Sequence, residues 1–345
     1  DEINVCIACN QACLDHTFSR QTATCLVNPR ACHETELNYL PAAQPKSLAV
    51  VGAGPAGLAF SCVAAQRGHQ VTLFEATQDI GGQFNMAKRI PGKEEFTETL
   101  RYYRRQLELQ GVELRLGVEV AAAELQGFDE VILATGVTPR DPGIEGSQHP
   151  MALSYVDVLK RNAEVGQRVA IIGAGGIGFD VAEFLGHPPH DPADHPEPAA
   201  FARQWGIDMT LSARGGVKGV RAEPDPLQRE IWLLQRKSSK PGKGLGKTTG
   251  WVHRLSLRTR GVKMLAGVEY RRIDGRGLHI HHDGQDKLLE VDNVVVCAGQ
   301  LPRRELRGPL ESAGITVHLI GGADVAAELD AKRAIRQGSE LAASI

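Results

Sequence analysis

Four cysteines stand within the first 25 residues: Cys6, Cys9, Cys13 and Cys25. Their spacing is C-x2-C-x3-C-x11-C. Thiolates are soft ligands that suit zinc or an iron–sulfur cluster. Structural zinc usually draws on two separated C-x2-C-like pairs. Three clustered cysteines and one distant, single cysteine better suit wrapping a cuboidal [4Fe–4S] cluster. The chain has seven cysteines in all. Cys32 is a spare, Cys62 reads as helix core and Cys297 as a buried strand thiol. An odd count and no signal peptide fit a reducing, cytoplasmic setting better than a secreted disulfide scaffold.

Two glycine-rich turns carry the second chemistry. Gly52-x-Gly54-x-x-Gly57 follows the apolar run Leu48–Val51. Gly52 permits the tight turn, Gly54 lets a pyrophosphate approach the backbone, and Gly57 lets helix and strand pack closely. Glu75 lies 18 residues after Gly57, where an acid can bond ribose hydroxyls. Gly173-x-Gly175-x-x-Gly178 repeats the pattern after Arg168–Ile172. Its second strand, Ile231–Gln235, ends in Arg236 and Lys237 rather than an acid. Cations there attract a 2′-phosphate and favour NADPH. The spacing from Gly178 to Arg236 exceeds the usual ~20 residues, so 187–230 reads as an insertion.

Small residues at other strand ends point to the ligand of the first turn. Ala134-Thr135-Gly136 and Gly321-Gly322-Ala323-Asp324 suggest an FAD domain assembled from both ends of the chain. Asp324 either caps the closing helix, expected over about 325–343, or faces the ribityl chain. Pro241-Gly242-Lys243-Gly244-Leu245-Gly246-Lys247-Thr248 nearly matches a phosphate loop, but Pro241 stands where the first glycine belongs. It reads as a basic loop covering NADPH.

The elements that must position these groups follow a strand–turn–helix–strand rhythm. The fold expected is α/β, with two Rossmann-like domains in a disulfide-reductase-like arrangement behind a short N-terminal iron–sulfur segment. Residues 1–45 form that segment and end in a Pro-containing joint. Residues 46–148 and 295–345 form the FAD domain, and 149–294 the NADPH domain. His187–Pro198 reads as an exposed loop, with a short helix near Phe201–Trp205. The 345 residues carry 39 Lys+Arg against 41 Asp+Glu, a net charge of −2. That balance argues against nucleic acid or an anionic membrane as partner. No apolar run approaches the roughly 18 residues of a membrane span. The chain begins at Asp1, as a fragment or processed chain would.

Several motifs together resemble bacterial NADPH-dependent 2,4-dienoyl-CoA reductases. They are Cys6-Ile7-Ala8-Cys9-Asn10-Gln11-Ala12-Cys13, Cys25 through Cys32, Gly81-Gly82-Gln83-Phe84, Leu234-Gln235-Arg236-Lys237 and Ile320 through Asp324. The resemblance implies a [4Fe–4S] cluster on Cys6, Cys9, Cys13 and Cys25, FAD in the first unit and NADPH in the second. It also implies that Ala56, Glu75, Gln83, Lys93 and Val120 line the FAD site. Such reductases carry an N-terminal (β/α)8 barrel that binds FMN and reduces the dienoyl-CoA of unsaturated fatty-acid oxidation. Nothing in this chain reads as eight βα repeats, so it resembles the electron-input half, and the catalytic residues are expected in the barrel. Electrons would pass from NADPH through FAD and the cluster to FMN. Two other readings fit the same motifs. One is the input module of another enzyme, of glutamate synthase small-subunit or trimethylamine dehydrogenase type. The other is a zinc-stapled nucleotide-binding interaction protein.

Overall fold

A computed structural model describes residues 2–188, 197–210, 212, 219–327 and 330–345. Most of the stretch expected as an exposed loop, from 189 to 196, lies outside them. The expected short helix is present and runs over Pro198–Trp205.

The first unit is built on a parallel sheet. Its strands lie in the order Thr316–Leu319, Glu130–Leu133, Ser47–Val51, Gln70–Glu75 and Glu113–Leu116. The central strand is apolar along both faces because helices or loops cover both, as parallel sheets require. Leu48, Ala49 and Val50 are fully buried. Leu48 pairs with Val71 on one side and Glu130 on the other. Pro55–Gln66 forms the first helix, with Pro55 at its first turn where a missing N–H costs nothing. Its small residues admit a second backbone at close range. A Cβ on Gly338 would meet Ala56 O at 2.3 Å, so the helices Pro55–Gln66 and Ala331–Ser344 cross in backbone contact.

The closing helix begins at Ala331, not at the expected Val325. Gly321–Ala323 instead form one 3-10 turn, and Asp330 caps the helix by accepting from Arg333 N at 2.7 Å. The capping role that Asp324 could have taken belongs to Asp330.

The second unit repeats the first. Its parallel sheet runs Ala152–Ser154, Asn293–Val296, Arg168–Ile172, Glu230–Leu234 and Lys263–Leu265. Asn293–Val296 pairs with Val169–Ile172, so the expected 294/295 boundary falls inside a strand of the second unit. An antiparallel meander, Glu269–Asp274, Gly277–His282 and Gln285–Leu289, adds a small sheet to this unit. Two antiparallel segments, Val137–Pro139 and Gln300–Pro302, form the passage between the units.

The N-terminal segment holds one short helix, Leu14–Phe18. Its joint is tied down by Arg67, whose Nε donates to Leu40 O at 2.7 Å and whose Nη1 donates to Ile345 O at 2.7 Å. No helix among the described residues is long and apolar enough to cross a membrane.

Candidate functional site: paired dinucleotide turns and a cysteine segment

The two glycine turns are structural repeats at the level of single contacts. Gly52 and Gly173 adopt φ of +108° and +110°, open only to glycine at low cost. A Cβ at Gly52 would lie 2.5 Å from Ala134 O, and one at Gly173 2.5 Å from Cys297 O. A Cβ at Gly57 would meet Gly52 O at 2.0 Å, and one at Gly178 would meet Gly173 O at 1.7 Å. Gly54 and Gly175 differ from these. A Cβ at either would have nothing within 4 Å. Each therefore faces an open cradle over a helix N-terminus, the place for a pyrophosphate.

A covering loop seats on each turn in the same way. Gly81 N donates to Ala53 O at 2.8 Å, and Gly242 N donates to Ala174 O at 3.1 Å. The first loop carries Gln83, and its Gly82 would carry a Cβ only 3.0 Å from Gly54 Cα. The second is the imperfect phosphate loop, whose Gly242 end rests on the second turn.

Around the first turn, the sequence-selected residues converge unevenly. Glu75 Oε2 accepts from Ala53 N at 2.8 Å, inside the turn, while Oε1 accepts from Thr77 N and Thr77 Oγ1. Ala56 sits on the first helix, buried. Thr135 Oγ1 donates to Arg303 O at 2.7 Å, and Gly136 O accepts from Arg303 N at 3.0 Å. Asp324 lies after the 3-10 turn, half-buried, its Oδ2 accepting from Gln337 Nε2 at 2.7 Å. Val120 is buried in the cluster of Phe74, Leu125 and Leu133, so any ligand contact it makes falls to its main chain.

Lys93 reaches away from the turn to the second unit. Its Nζ pairs with Asp180 Oδ1 at 2.5 Å, on the helix Gly176–Gly186 that also holds Gly178. Beside this pair, burial and then the Lys93 ammonium hold His253 below the usual histidine value. Gln300 Nε2 donates to the Tyr155 hydroxyl at 2.8 Å, and Gln83 from the first unit's loop lies near enough to favour its ionised form. Burial raises the Tyr155 hydroxyl against both, so it stays protonated.

Arg236 and Lys237 come one residue after the strand Glu230–Leu234, which abuts the second turn, where Gly173 N donates to Leu234 O at 2.8 Å. Both side chains are exposed. Lys237 O accepts from Gly267 N at 3.0 Å, which fixes the backbone and leaves the charge free to meet a ligand.

The four early cysteines are brought into electrostatic contact. Burial raises the Cys9 thiol, and Cys25, Cys13 and Cys6 raise it further. Ala8 and Asn10 alternate with them at φ of 52° and 58°. That backbone turns Ala8 N onto Cys6 Sγ at 3.4 Å, the kind of bond that tunes a bound cluster. All four are free thiols. Among the described residues no group of three His, Cys, Asp or Glu is spaced to hold a single metal ion. Cys32 is exposed and outside the set, burial pushes the Cys62 thiol up to about 12, and Cys297 packs partly buried in the second core.

Residues 46–332 match the pyridine nucleotide-disulphide oxidoreductase family. The chain belongs to that family. FAD and NAD(P) binding and oxidoreductase chemistry follow from the family and fold. The chain is 30% identical to a metal reductase of Desulforamulus reducens, over 94% of this chain and 48% of the relative. It is 35% identical to a cinnamate reductase of Clostridium sporogenes, over 94% and 43%. A 2-naphthoyl-CoA reductase structure superposes with a TM-score of 0.83 at 27% identity, over all of this chain and 47% of that one. The chain thus spans about half the length of the curated relatives it matches.

Three contributing residues carry no motif in the sequence: Gln337, Asp180 and Tyr155. Asp180 stands two residues after Gly178, a position the fingerprint leaves open. Tyr155 and Gln337 are far in sequence from what they hold and leave no local signature.

Proposed function

We propose that this module takes reducing equivalents from NADPH and delivers them singly to a separate FMN-binding barrel that reduces a conjugated acyl-CoA, 2,4-dienoyl-CoA being the expected substrate. A flavin accepts a hydride as an electron pair and releases single electrons, which an iron–sulfur cluster conducts. The protein's part is to bind and position. The first turn, with Glu75, Thr135, Gly136 and Asp324, holds FAD. The second turn, with Arg236 and Lys237, holds NADPH. Lys93–Asp180 ties the two units together. Cys6, Cys9, Cys13 and Cys25 hold the [4Fe–4S] cluster.

One observation carries this reading: the cysteine segment touches both dinucleotide units. Asp15 is bonded by Thr248 of the second unit, and His16 Nε2 by Lys332 of the first unit at 3.0 Å. A one-electron carrier beside both units needs a destination outside them. The substrate class is supported by relatives named for cinnamate and 2-naphthoyl-CoA, both unsaturated and conjugated to a carboxyl or thioester.

A second reading is favoured by the 34% identity to the small chain of a glutamate synthase of Mycobacterium tuberculosis, over 74% of this chain. Anaerobic assays separate the two. The isolated chain should pass electrons from NADPH to ferricyanide and leave dienoyl-CoA untouched until the barrel is supplied. Dienoyl-CoA turnover by these residues alone would overturn the division of labour. Failure of a barrel-containing form to turn over dienoyl-CoA would favour the second reading.

A further inference from the structure

The imperfect phosphate loop has an occupant. Thr248 N and Thr248 Oγ1 donate to Asp15 Oδ1 at 2.9 and 2.7 Å, and Lys247 N donates to Oδ2 at 3.2 Å. Lys247 Nζ reaches on to Phe18 O at 3.2 Å, closing over the helix that carries Asp15. A Cβ on Gly246 would stand 2.7 Å from Asp15 Oδ2, so the glycine makes room for the carboxylate. These are donor types that a phosphate loop offers an oxyanion: successive backbone N–H groups, a threonine hydroxyl and a lysine. The helix Gly250–Thr259 begins immediately afterwards, and its positive end favours the same charge.

The other end of the loop lies on the second dinucleotide turn. Gly242 N donates to Ala174 O, between Gly173 and Gly175. Arg254 Nη1 donates to Gly242 O at 2.8 Å, which ties that end to the helix Gly250–Thr259. A Cβ on Gly242 would press into the Phe179 ring at 2.7 Å, one residue beyond Gly178. The covering loop of the first turn, Gly81–Phe84, runs into a helix of its own unit. The second loop leaves its unit and grips the segment between Cys13 and Cys25.

We infer that Asp15 is a positioning residue: held by Lys247 and Thr248, it couples occupancy of the second dinucleotide turn to the order of the cysteine segment. A nucleotide on Gly175 restricts Ala174 and the loop seated on it. A restricted loop presents its Thr248 and Lys247 donors to Asp15 in one geometry. Coupling of this kind is reciprocal, so an ordered segment also favours the nucleotide. The inference rests on reading the Gly173–Gly178 turn as the NAD(P)H site.

Hydrogen exchange on the protein as isolated, with and without NADP+, tests it without using activity. In the wild type, NADP+ should slow exchange at the 173–178 turn and, roughly tenfold, at 13–19. Thr248→Val keeps the shape and removes the hydroxyl donor. It should keep protection at the turn and lose part of it at 13–19, because the Lys247 and Thr248 N–H groups still reach Asp15. Thr248→Ser should restore it, and Asp15→Ala, which removes all three bonds, should lose most of it. Protection at 13–19 that is equal in wild type, Thr248→Val and Asp15→Ala would overturn the coupling alone. No protection at the turn itself would overturn the nucleotide reading, and the coupling with it.

Discussion

Gln337 holds Asp324 in place. Its Nε2 donates to Asp324 Oδ2 at 2.7 Å while its Oε1 accepts from Gly321 N at 2.8 Å. One amide from the closing helix thereby orders both ends of the Gly321–Asp324 turn, where the ribityl chain of a flavin is expected. Each bond is worth about 0.5–1.5 kcal/mol net. Gln337→Ala should therefore weaken FAD binding by roughly tenfold without unfolding the chain. Equilibrium dialysis of the apoprotein against FAD measures this directly. Unchanged affinity would remove the turn from the flavin site.

Gly54 and Gly57 should fail in different ways. A Cβ at Gly54 meets nothing, so Gly54→Ala should fold normally yet obstruct the pyrophosphate and lose flavin. A Cβ at Gly57 would meet Gly52 O at 2.0 Å, so Gly57→Ala should itself destabilise the unit, by about 1–3 kcal/mol or more. Denaturant melts of the two apoproteins separate binding from packing. A Gly54→Ala apoprotein as unstable as Gly57→Ala would show that the cradle is not open.

Coenzyme choice should rest on Arg236 and Lys237. Losing both charges removes charge-assisted bonds to the 2′-phosphate, each worth roughly 1.5–3 kcal/mol. The double variant Arg236→Ala, Lys237→Ala should reduce its flavin with NADPH and NADH at similar efficiency. A ratio of kcat/KM values unchanged from wild type would place the phosphate elsewhere.

Acid stability should depend on Glu130. Burial alone would raise its carboxyl, yet the Lys46 ammonium and His318 outweigh that and hold it below its ordinary value. His318 Nε2 donates to Oε2 at 2.6 Å, and Lys46 Nζ bonds Oε1. A depressed folded-state value adds stability that is fully present above the unfolded value of about 4.5. That stability is lost as pH falls through the folded value. Glu130→Gln should lower stability at neutral pH and flatten its decline below pH 4.5. Urea melts across pH 3–7 report it; parallel curves for both proteins would contradict the assignment.

Both glycine turns were legible in the sequence because the reasons for Gly52, Gly57, Gly173 and Gly178 lie within each motif or one strand away. The parallel strands were legible as apolar runs. Features made by distant pairing were not. The closing helix starts later than its composition suggests because Asp330 caps it inside an otherwise plausible helical stretch. The meander from 269 to 289 has mostly exposed or half-buried residues on its first strand, so its apolar signal is thin. Lys93 pairs with Asp180, 87 residues away, a contact with no local signature. The Pro241–Thr248 motif suggests a nucleotide cover, and its grip on Asp15 joins positions 233 residues apart.

The central claim is that Cys6, Cys9, Cys13 and Cys25 hold a cluster fed by the flavin unit. Iron, labile sulfide and FAD analysis of anaerobically purified protein, with the Cys13→Ser variant beside it, tests this most directly. The wild type should contain about four irons and one FAD per chain. Cys13→Ser should keep its FAD and lose its iron. A wild type holding zinc without iron, or a Cys13→Ser variant with its full iron content, would contradict the account.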